Sequence, residues 1–143
     1  MNRDQIATLL PHRGVFALLD RVVEVEAGKS AVAEVDVSAD AFWVSGHFPG
    51  FPVMPGVLIT EALAQTAGVV YATDPQAEPG AKVYLLGVDG MRYRAPVRPG
   101  HVLRLQVSKV SERRRMWKFE GEAYVGATRV ANGSLLATIA PTD

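Results

Sequence analysis

His47 and Glu61 are the residues whose types and spacing could carry chemistry, since they lie fourteen positions apart across a loop and the start of an apolar run. A free imidazole titrates close to neutral pH, so a small change of environment makes it a base. Burial of a carboxyl group in apolar surroundings favours its protonated form. Together the two side chains would supply a base and a proton donor for removing a proton next to a carbonyl.

Both residues also have ordinary structural interpretations. A histidine in a loop rich in proline and glycine can be a hydrogen-bonded structural residue, and Glu61 can pair with an arginine at an interface. The residue types and their spacing leave these alternatives open.

Two neighbours of Glu61 could assist such a reaction. Gln65 lies four positions later, on the same face of a helix, where its amide can orient the carboxyl group. Gly56 would open that helix, and the first N–H groups of a helix have no intrahelical acceptor and lie at the positive end of its dipole. The stretch therefore also provides a site for a developing oxyanion.

The stretch 46–72 has to position these groups. Its first part carries three prolines and three glycines, which make a loop rigid in some places and open to close backbone approach in others. The run 56–72 is apolar on nearly every side and has no helix breaker except Gly68, so it predicts a helix in the middle of a domain. Because it contains Glu61 and Gln65 and is short, it does not predict a membrane span.

The rest of the chain is expected to form strands, because apolar and polar residues alternate along it. A helix over 3–10, capped by Asn2 and ended by Pro11, precedes them. The predicted strands are 17–26 and 31–37 as a hairpin, 82–93 with bends at Gly87 and Gly90, 103–108, 116–125 and 129–140. A charged turn is expected over 111–115, and a bulge near Asn132 of the last strand. The predicted fold class is α+β, one antiparallel sheet of five to six strands wrapped around one long central helix.

Composition limits the classes of function. The 143 residues are enough for one domain, 1–143, with its own core, and fifteen Lys and Arg balance fifteen Asp and Glu. This balance argues against a general affinity for nucleic acid or membrane. Without cysteine no thiolate metal site is available, and His12 and His101 show no metal-ligand spacing with His47, so no metal is predicted. The N-terminus lacks a secretory pattern, and a cytoplasmic protein is expected.

Three ordered blocks of the sequence resemble those of the β-hydroxyacyl-(acyl-carrier-protein) dehydratases, a family with the hot-dog fold. The blocks are LLPHRGVFALLDRV at 9–22, HFPGFPVMPGVLITEALAQTAG at 47–68 and GVDGMRYRAPVRPGHVLRLQV at 87–107. The resemblance covers roughly 9–110 well and continues more loosely to 140. Several blocks in register are much more specific than one short pattern.

The resemblance implies a function and a set of roles. In that family the histidine of the HFPG block and an acidic residue fourteen positions later are the catalytic pair, which here are His47 and Glu61. Glutamate at this position is typical of the simple dehydratases, which convert (3R)-3-hydroxyacyl thioesters to trans-2-enoyl thioesters in fatty-acid or related lipid and polyketide biosynthesis. The N–H of Gly56 would hold the thioester carbonyl. No cofactor is implied.

The family assembles its active site from two subunits, so the resemblance implies a homodimer, with a trimer of dimers as a further possibility, and acyl carrier protein as the partner. Apolar residues near the site are candidates for binding the acyl chain, although each fits equally well as core: Phe48, Phe51, Val53, Met54, Leu58 and Tyr93. The carrier protein is acidic, and a basic rim for it is predicted at Arg92, Arg94 and Arg98 rather than at the charged turn 113–115 with Lys118.

The chain departs from the family pattern at several positions. Gly14-Val15 replaces the usual Tyr-Pro, Phe51 stands where a basic residue is common, and His101 replaces the usual aspartate. These departures leave chain-length preference, carrier docking and the pathway open. Two alternatives are a hot-dog thioesterase, which usually lacks the histidine, and a non-catalytic protein that binds acyl thioesters.

Overall fold

The computed structural model describes residues 1–140, which form one six-stranded sheet, two α-helices and one short 3-10 helix. The elements in chain order are α1 (Arg3–Leu9), the 3-10 helix (Gly14–Phe16), β1 (Arg21–Glu26), β2 (Ser30–Asp36), α2 (Gly56–Ala72), β3 (Lys82–Tyr93), β4 (Val102–Arg113), β5 (Met116–Val125) and β6 (Thr128–Ala140). Over these residues no helix has both the length and the apolar character needed to cross a bilayer.

The sheet is antiparallel throughout and wraps around α2. Its strand order is β1-β2-β4-β5-β6-β3, so β1 and β3 are its two edges. The helix packs mainly against β2, β4 and β5, while α1 covers part of its other side. The predicted α+β hot-dog arrangement is therefore confirmed.

The central position of α2 follows from its sequence. Buried residues occur on all its sides from Ile59 to Tyr71, including the polar side chains of Thr60, Gln65 and Thr66. A helix that is apolar all round gains stability only if other elements cover it completely. The sheet supplies most of that cover through the inward-facing residues of β4, which alternate with polar ones.

The N-terminal helix begins as predicted. Asn2 accepts a hydrogen bond from the backbone N–H of Gln5, and the side chain of Gln5 accepts one from Asn2, which forms a capping box. The helix ends at Leu9, one residue before the predicted end, and Pro11 follows its C-cap.

Two predicted boundaries are wrong by several residues. The first strand begins at Arg21 instead of residue 17, because the chain forms a 3-10 helix at 14–16 and then bonds to a side chain of α2. The charged turn predicted over 111–115 is reduced to Arg114 and Arg115, since β4 continues to Arg113 and pairs there with β5. The charged residues at the exposed end of β4 have the same composition as a solvent-exposed turn.

The Asn132-Gly133 pair lies inside β6 and forms no turn. The β5–β6 register shifts at Val130, and the neighbouring β3 shifts register opposite Gly133, between Asp89 and Arg92. A Cβ at Gly133 would lie 2.8 Å from the Cα of Met91. The glycine is thus required because the irregular part of β3 passes directly over it.

We expect Val107→Ala on β4 to lower the free energy of unfolding by roughly 2–3 kcal/mol, because it removes two methyl groups from the core and leaves a cavity. Val107 is 1% exposed, whereas Val110 on the same strand is 53% exposed. The matched change Val110→Ala should cost about 0.5 kcal/mol or less. Urea titrations followed by circular dichroism measure both, and equal costs would contradict the described packing of β4.

Candidate active site

The loop before α2 holds His47 in one orientation. The Nδ1 atom of His47 lies 2.7 Å from the carbonyl oxygen of Val53, and the N–H of Val53 donates back to the His47 carbonyl at 2.8 Å. A carbonyl oxygen can only accept, so Nδ1 carries the proton and Nε2 of the neutral imidazole is left as an acceptor. This arrangement suits His47 to act as a base through Nε2.

The same loop is attached to the turn between β3 and β4. The N–H of Met54 donates to the carbonyl of Val97 at 2.7 Å, and the Arg98 guanidinium lies 4.3 Å from the ring centroid of Phe51. His101 accepts a hydrogen bond from the Arg98 N–H through Nδ1 at 3.0 Å. Phe51 and His101, two of the departures noted in the sequence, therefore both contact Arg98 and help fix the loop.

The first turn of α2 opens without a side-chain cap. Pro55 is the N-cap residue, and its carbonyl accepts from the N–H groups of Leu58 and Ile59. Within residues 1–140 the N–H of Gly56 has no hydrogen-bond acceptor. Together with the positive end of the helix dipole, this N–H is available to bind the oxygen of a ligand carbonyl.

Glu61 is half-buried on the second turn of α2, and Gln65 follows it on the same side. Gln65 donates through Nε2 to the carbonyl of Phe16 at 2.7 Å and accepts from the N–H of Leu18 at 3.1 Å. Its distance to Glu61 Oε2 is 3.5 Å, which is a weak contact. The main role of Gln65 in the structure is to hold the segment after the 3-10 helix against α2.

A cavity of about 330 Å³ begins at Glu61 and extends along α2. One wall consists of the small residues Ala64, Ala67 and Gly68, and the opposite wall is formed from the sheet by Phe119, Leu135 and Ala137. This volume lies at the lower end of the range for small-molecule sites. Sequence reasoning missed these residues; the available signal was the run of small side chains spaced three and four apart on one side of the helix.

The cavity lining also includes polar side chains. His12 is one of them, and its buried Nδ1 has no hydrogen-bond partner among the described residues. Glu78 is another, and its carboxylate accepts two hydrogen bonds from Arg115, at 2.7 and 3.2 Å, which lower the pKa of Glu78. Glu78 is therefore charged at neutral pH, and an apolar ligand should end before it.

The predicted acyl-binding residues do not line this cavity. Phe48, Phe51 and Tyr93 are exposed, and the ring of Phe48 stacks on His47 with centroids 4.1 Å apart. Met54 is buried in the core, while Val53 and Leu58 are half-buried. Of the predicted site residues only Glu61 lies in the cavity wall, and His47 does not.

The predicted basic rim follows the end of β3. Arg92 and Arg94 are exposed and Arg98 is half-buried. The Nε of Arg94 donates to Asn132 Oδ1 at 2.7 Å, and Arg98 is engaged with Phe51. These positions place the three arginines on the strand and turn that border the start of α2.

The edge strand β3 carries an unusual number of exposed apolar side chains: Tyr84, Leu85, Leu86, Val88 and Tyr93. It pairs with β6 on one side only. An edge with unpaired backbone groups and apolar side chains is a template for pairing with another strand.

Comparison with known proteins gives a consistent result. The model of the FabA-like domain matches residues 10–134. The chain is 45% identical to the 3-hydroxyacyl-[acyl-carrier-protein] dehydratase FabZ of Myxococcus xanthus, over 100% of this chain and 94% of that protein. It is 42% identical to the enzyme of the same name from Geotalea uraniireducens, over 98% of this chain and 97% of that protein. Among solved structures it resembles the dehydratase heterocomplex ApeI:P from Xenorhabdus doucetiae, with a TM-score of 0.78 and 25% sequence identity. The match covers 96% of this chain and 91% of the chain in that structure.

We expect Gln65→Met to lower the free energy of unfolding by about 1–3 kcal/mol, because it leaves the Phe16 carbonyl and the Leu18 N–H without partners. Gln65 is 1% exposed, and methionine fills nearly the same space. Hydrogen exchange of residues 14–18 should accelerate in this variant. Gln76→Met, at an exposed position, is the control, and unchanged exchange in the Gln65 variant would contradict the anchoring role.

Proposed function

Since this chain belongs to the FabA-like family, we propose that it catalyses the dehydration of 3-hydroxyacyl-(acyl-carrier-protein) thioesters in fatty-acid biosynthesis. It is an enzyme of the hydro-lyase class, and its product is the 2-enoyl thioester. The observation that carries the proposal is the His47 imidazole, whose Nδ1 is bound to the Val53 carbonyl so that Nε2 is available as a base, within a full-length similarity to such dehydratases.

The roles of the three reacting groups are those that the family resemblance implies, and their surroundings support them. The N–H of Gly56 binds the thioester oxygen and stabilises the negative charge that develops there. Nε2 of His47 removes a proton from the carbon next to the carbonyl. The carboxyl group of Glu61 gives a proton to the β-hydroxyl, the carbon–oxygen bond breaks, and a double bond and a water molecule form. A positioned base or acid contributes about 10² to 10⁴ in rate.

The site is shared between two subunits in this proposal. The exposed apolar edge β3 supports a homodimer in which two copies of β3 pair antiparallel about a two-fold axis, which extends the sheet and covers the apolar side chains. His47 would then meet Glu61 of the second copy, in agreement with a cavity that contains Glu61 but not His47. Assembly of three dimers remains a further proposal.

The cavity along α2 is the proposed site for the acyl chain. Glu61 and the ionised Glu78 are among its lining residues, and small or apolar side chains of α2 and the sheet line the space between α2 and the strands. The exposed residues Phe48, Phe51 and Tyr93 lie outside it and would contact the thioester end of the substrate or the second subunit. The half-buried Val53 and Leu58 support the loop and helix start.

The partner protein follows from the substrate. The arginines at 92, 94 and 98 border the start of α2 and would meet the acidic surface of an acyl carrier protein. One hydrophobic core joins α1, α2 and the sheet, which supports a single domain. A cytoplasmic location is proposed because the enzyme has to be in the same compartment as the carrier protein that bears its substrate.

Incubation of the pure protein with a 3-hydroxydecanoyl thioester tests this function. Enoyl absorbance and a product lighter by one water are expected. Release of the free acid would indicate the alternative thioesterase, and binding without turnover would indicate the non-catalytic acyl-thioester protein. Either result would contradict the proposal.

We expect His47→Ala and Glu61→Gln each to lower kcat by about 10²- to 10⁴-fold, because each removes one proton-transferring group. Circular dichroism should show that both variants remain folded, since both residues are only half-buried. Near-normal turnover in either variant would remove that residue from the reaction.

Mixing the two inactive variants tests the shared site. In a mixed dimer one of the two sites keeps the intact His47 of one chain and the intact Glu61 of the other. Random exchange makes about half of the dimers mixed, so about a quarter of the wild-type activity should be restored. If the two groups belonged to the same chain, every mixture would stay inactive.

We expect Ala64→Leu to shorten the cavity next to Glu61 and so to lower kcat/KM for long acyl chains. The loss should be at least about tenfold for a 3-hydroxydodecanoyl thioester, but within about threefold for 3-hydroxybutyryl. Ala127→Leu, in the exposed turn after β5, is the control and should leave kcat/KM unchanged for both substrates. An equal loss for both substrates would show that the acyl chain lies elsewhere.

A further inference from the structure

We propose that Tyr93 and Thr60 are positioning residues, which together fix the first turn of α2 so that the Gly56 N–H points at the thioester oxygen. The inference rests on the proposed dehydration and assigns two residues to its oxyanion site. In this proposal Tyr93 positions the start of α2, whereas the sequence suggested that it binds the acyl chain.

The ring of Tyr93 lies directly on Gly56. A Cβ at Gly56 would be 2.9 to 3.0 Å from three ring atoms of Tyr93, closer than side-chain carbons pack. The glycine is therefore needed to let the ring approach, in addition to offering its N–H. Tyr93 remains 50% exposed, so only part of its surface is used in this contact.

The hydroxyl group of Tyr93 is bonded to Thr60. The two hydroxyl oxygens are 2.6 Å apart, and Thr60 is 8% exposed. Gly56 and Thr60 lie four residues apart on the same side of the helix. Tyr93 thus holds both ends of the first turn of α2 from the last residue of β3.

Thr60 differs from the other threonines of this helix region. The hydroxyl groups of Thr66 and Thr73 both donate to the carbonyl four residues earlier, at 2.9 Å, as threonines in helices usually do. Thr60 instead has the hydroxyl of Tyr93 as its partner. A threonine that bonds to a neighbouring element contributes to the geometry between the two elements, and here these are β3 and the start of α2.

The position of this pair explains what it would do in the reaction. Gly56 lies on one side of it, and Glu61 directly follows Thr60 in the chain. A donor for a developing oxyanion is effective only if it is held in place before the charge forms. Loss of the pair should therefore lower kcat and leave KM nearly unchanged, because the transition state loses more than the bound substrate.

A double-mutant cycle on the full protein tests the proposal. Tyr93→Phe and Thr60→Val each remove one hydroxyl and keep the shape of the side chain. We expect each to lower kcat about three- to tenfold with KM within about twofold, and the double variant to lose no more than either single one. Tyr124→Phe removes a tyrosine hydroxyl bonded to Glu122 on β5 and should leave kcat unchanged.

Three results would overturn the proposal: unchanged kcat in either single variant, additive losses in the double variant, or losses explained by a lower fraction of folded protein. The NMR signal of the Gly56 amide gives a readout that does not depend on turnover. It should shift in Tyr93→Phe and Thr60→Val and stay in place in Tyr124→Phe. If the wild-type protein fails to dehydrate the thioester while this signal behaves as expected, the proposed function fails and the packing of Tyr93 on Gly56 stands.

Discussion

Burial of α2 from Ile59 to Tyr71 is the constraint on which the rest of the structure depends. A helix with apolar residues on all sides cannot leave any side to water, so the sheet covers most of it and the N-terminal segment covers the remainder. The segment after the 3-10 helix has no strand partner at Leu18, and Gln65 supplies hydrogen bonds from within the helix. The cover is incomplete at the start of the helix, where Gly56 is half-buried and Val57 is exposed.

The sequence predicted some elements accurately because local chemistry determines them. The bounds of α2 and β3 were predicted correctly, since proline or glycine marks one side and a clear hydrophobic pattern fills the interior. The proposed roles of His47, Glu61 and Gly56 came from the family blocks, and the bond from Nδ1 to the Val53 carbonyl leaves Nε2 of His47 as the acceptor that its proposed role needs.

Other features depend on contacts between distant parts of the chain and could not be predicted. The 3-10 helix at 14–16 exists because Gln65, almost fifty residues later, bonds to the backbone beside it. The sequence predicts a bulge near Asn132, but the reason for Gly133, the close approach of Met91 on β3, is not visible in the local sequence. The cavity lies between α2 and the strands β5 and β6, so the small residues after Glu61 indicate one of its walls but not the wall that distant strands supply.

The pairing of β3 with β6 has a consequence for the order in which the molecule can be built. Within residues 1–140, Lys82–Tyr93 pairs with one strand, Thr128–Ala140, which begins more than thirty residues later. During synthesis at the ribosome, residues 82–93 leave the exit tunnel long before that partner does. The apolar edge strand is therefore held in the sheet only after residues 128–140 have been translated. Until then its apolar side chains lack the strand that fixes their register.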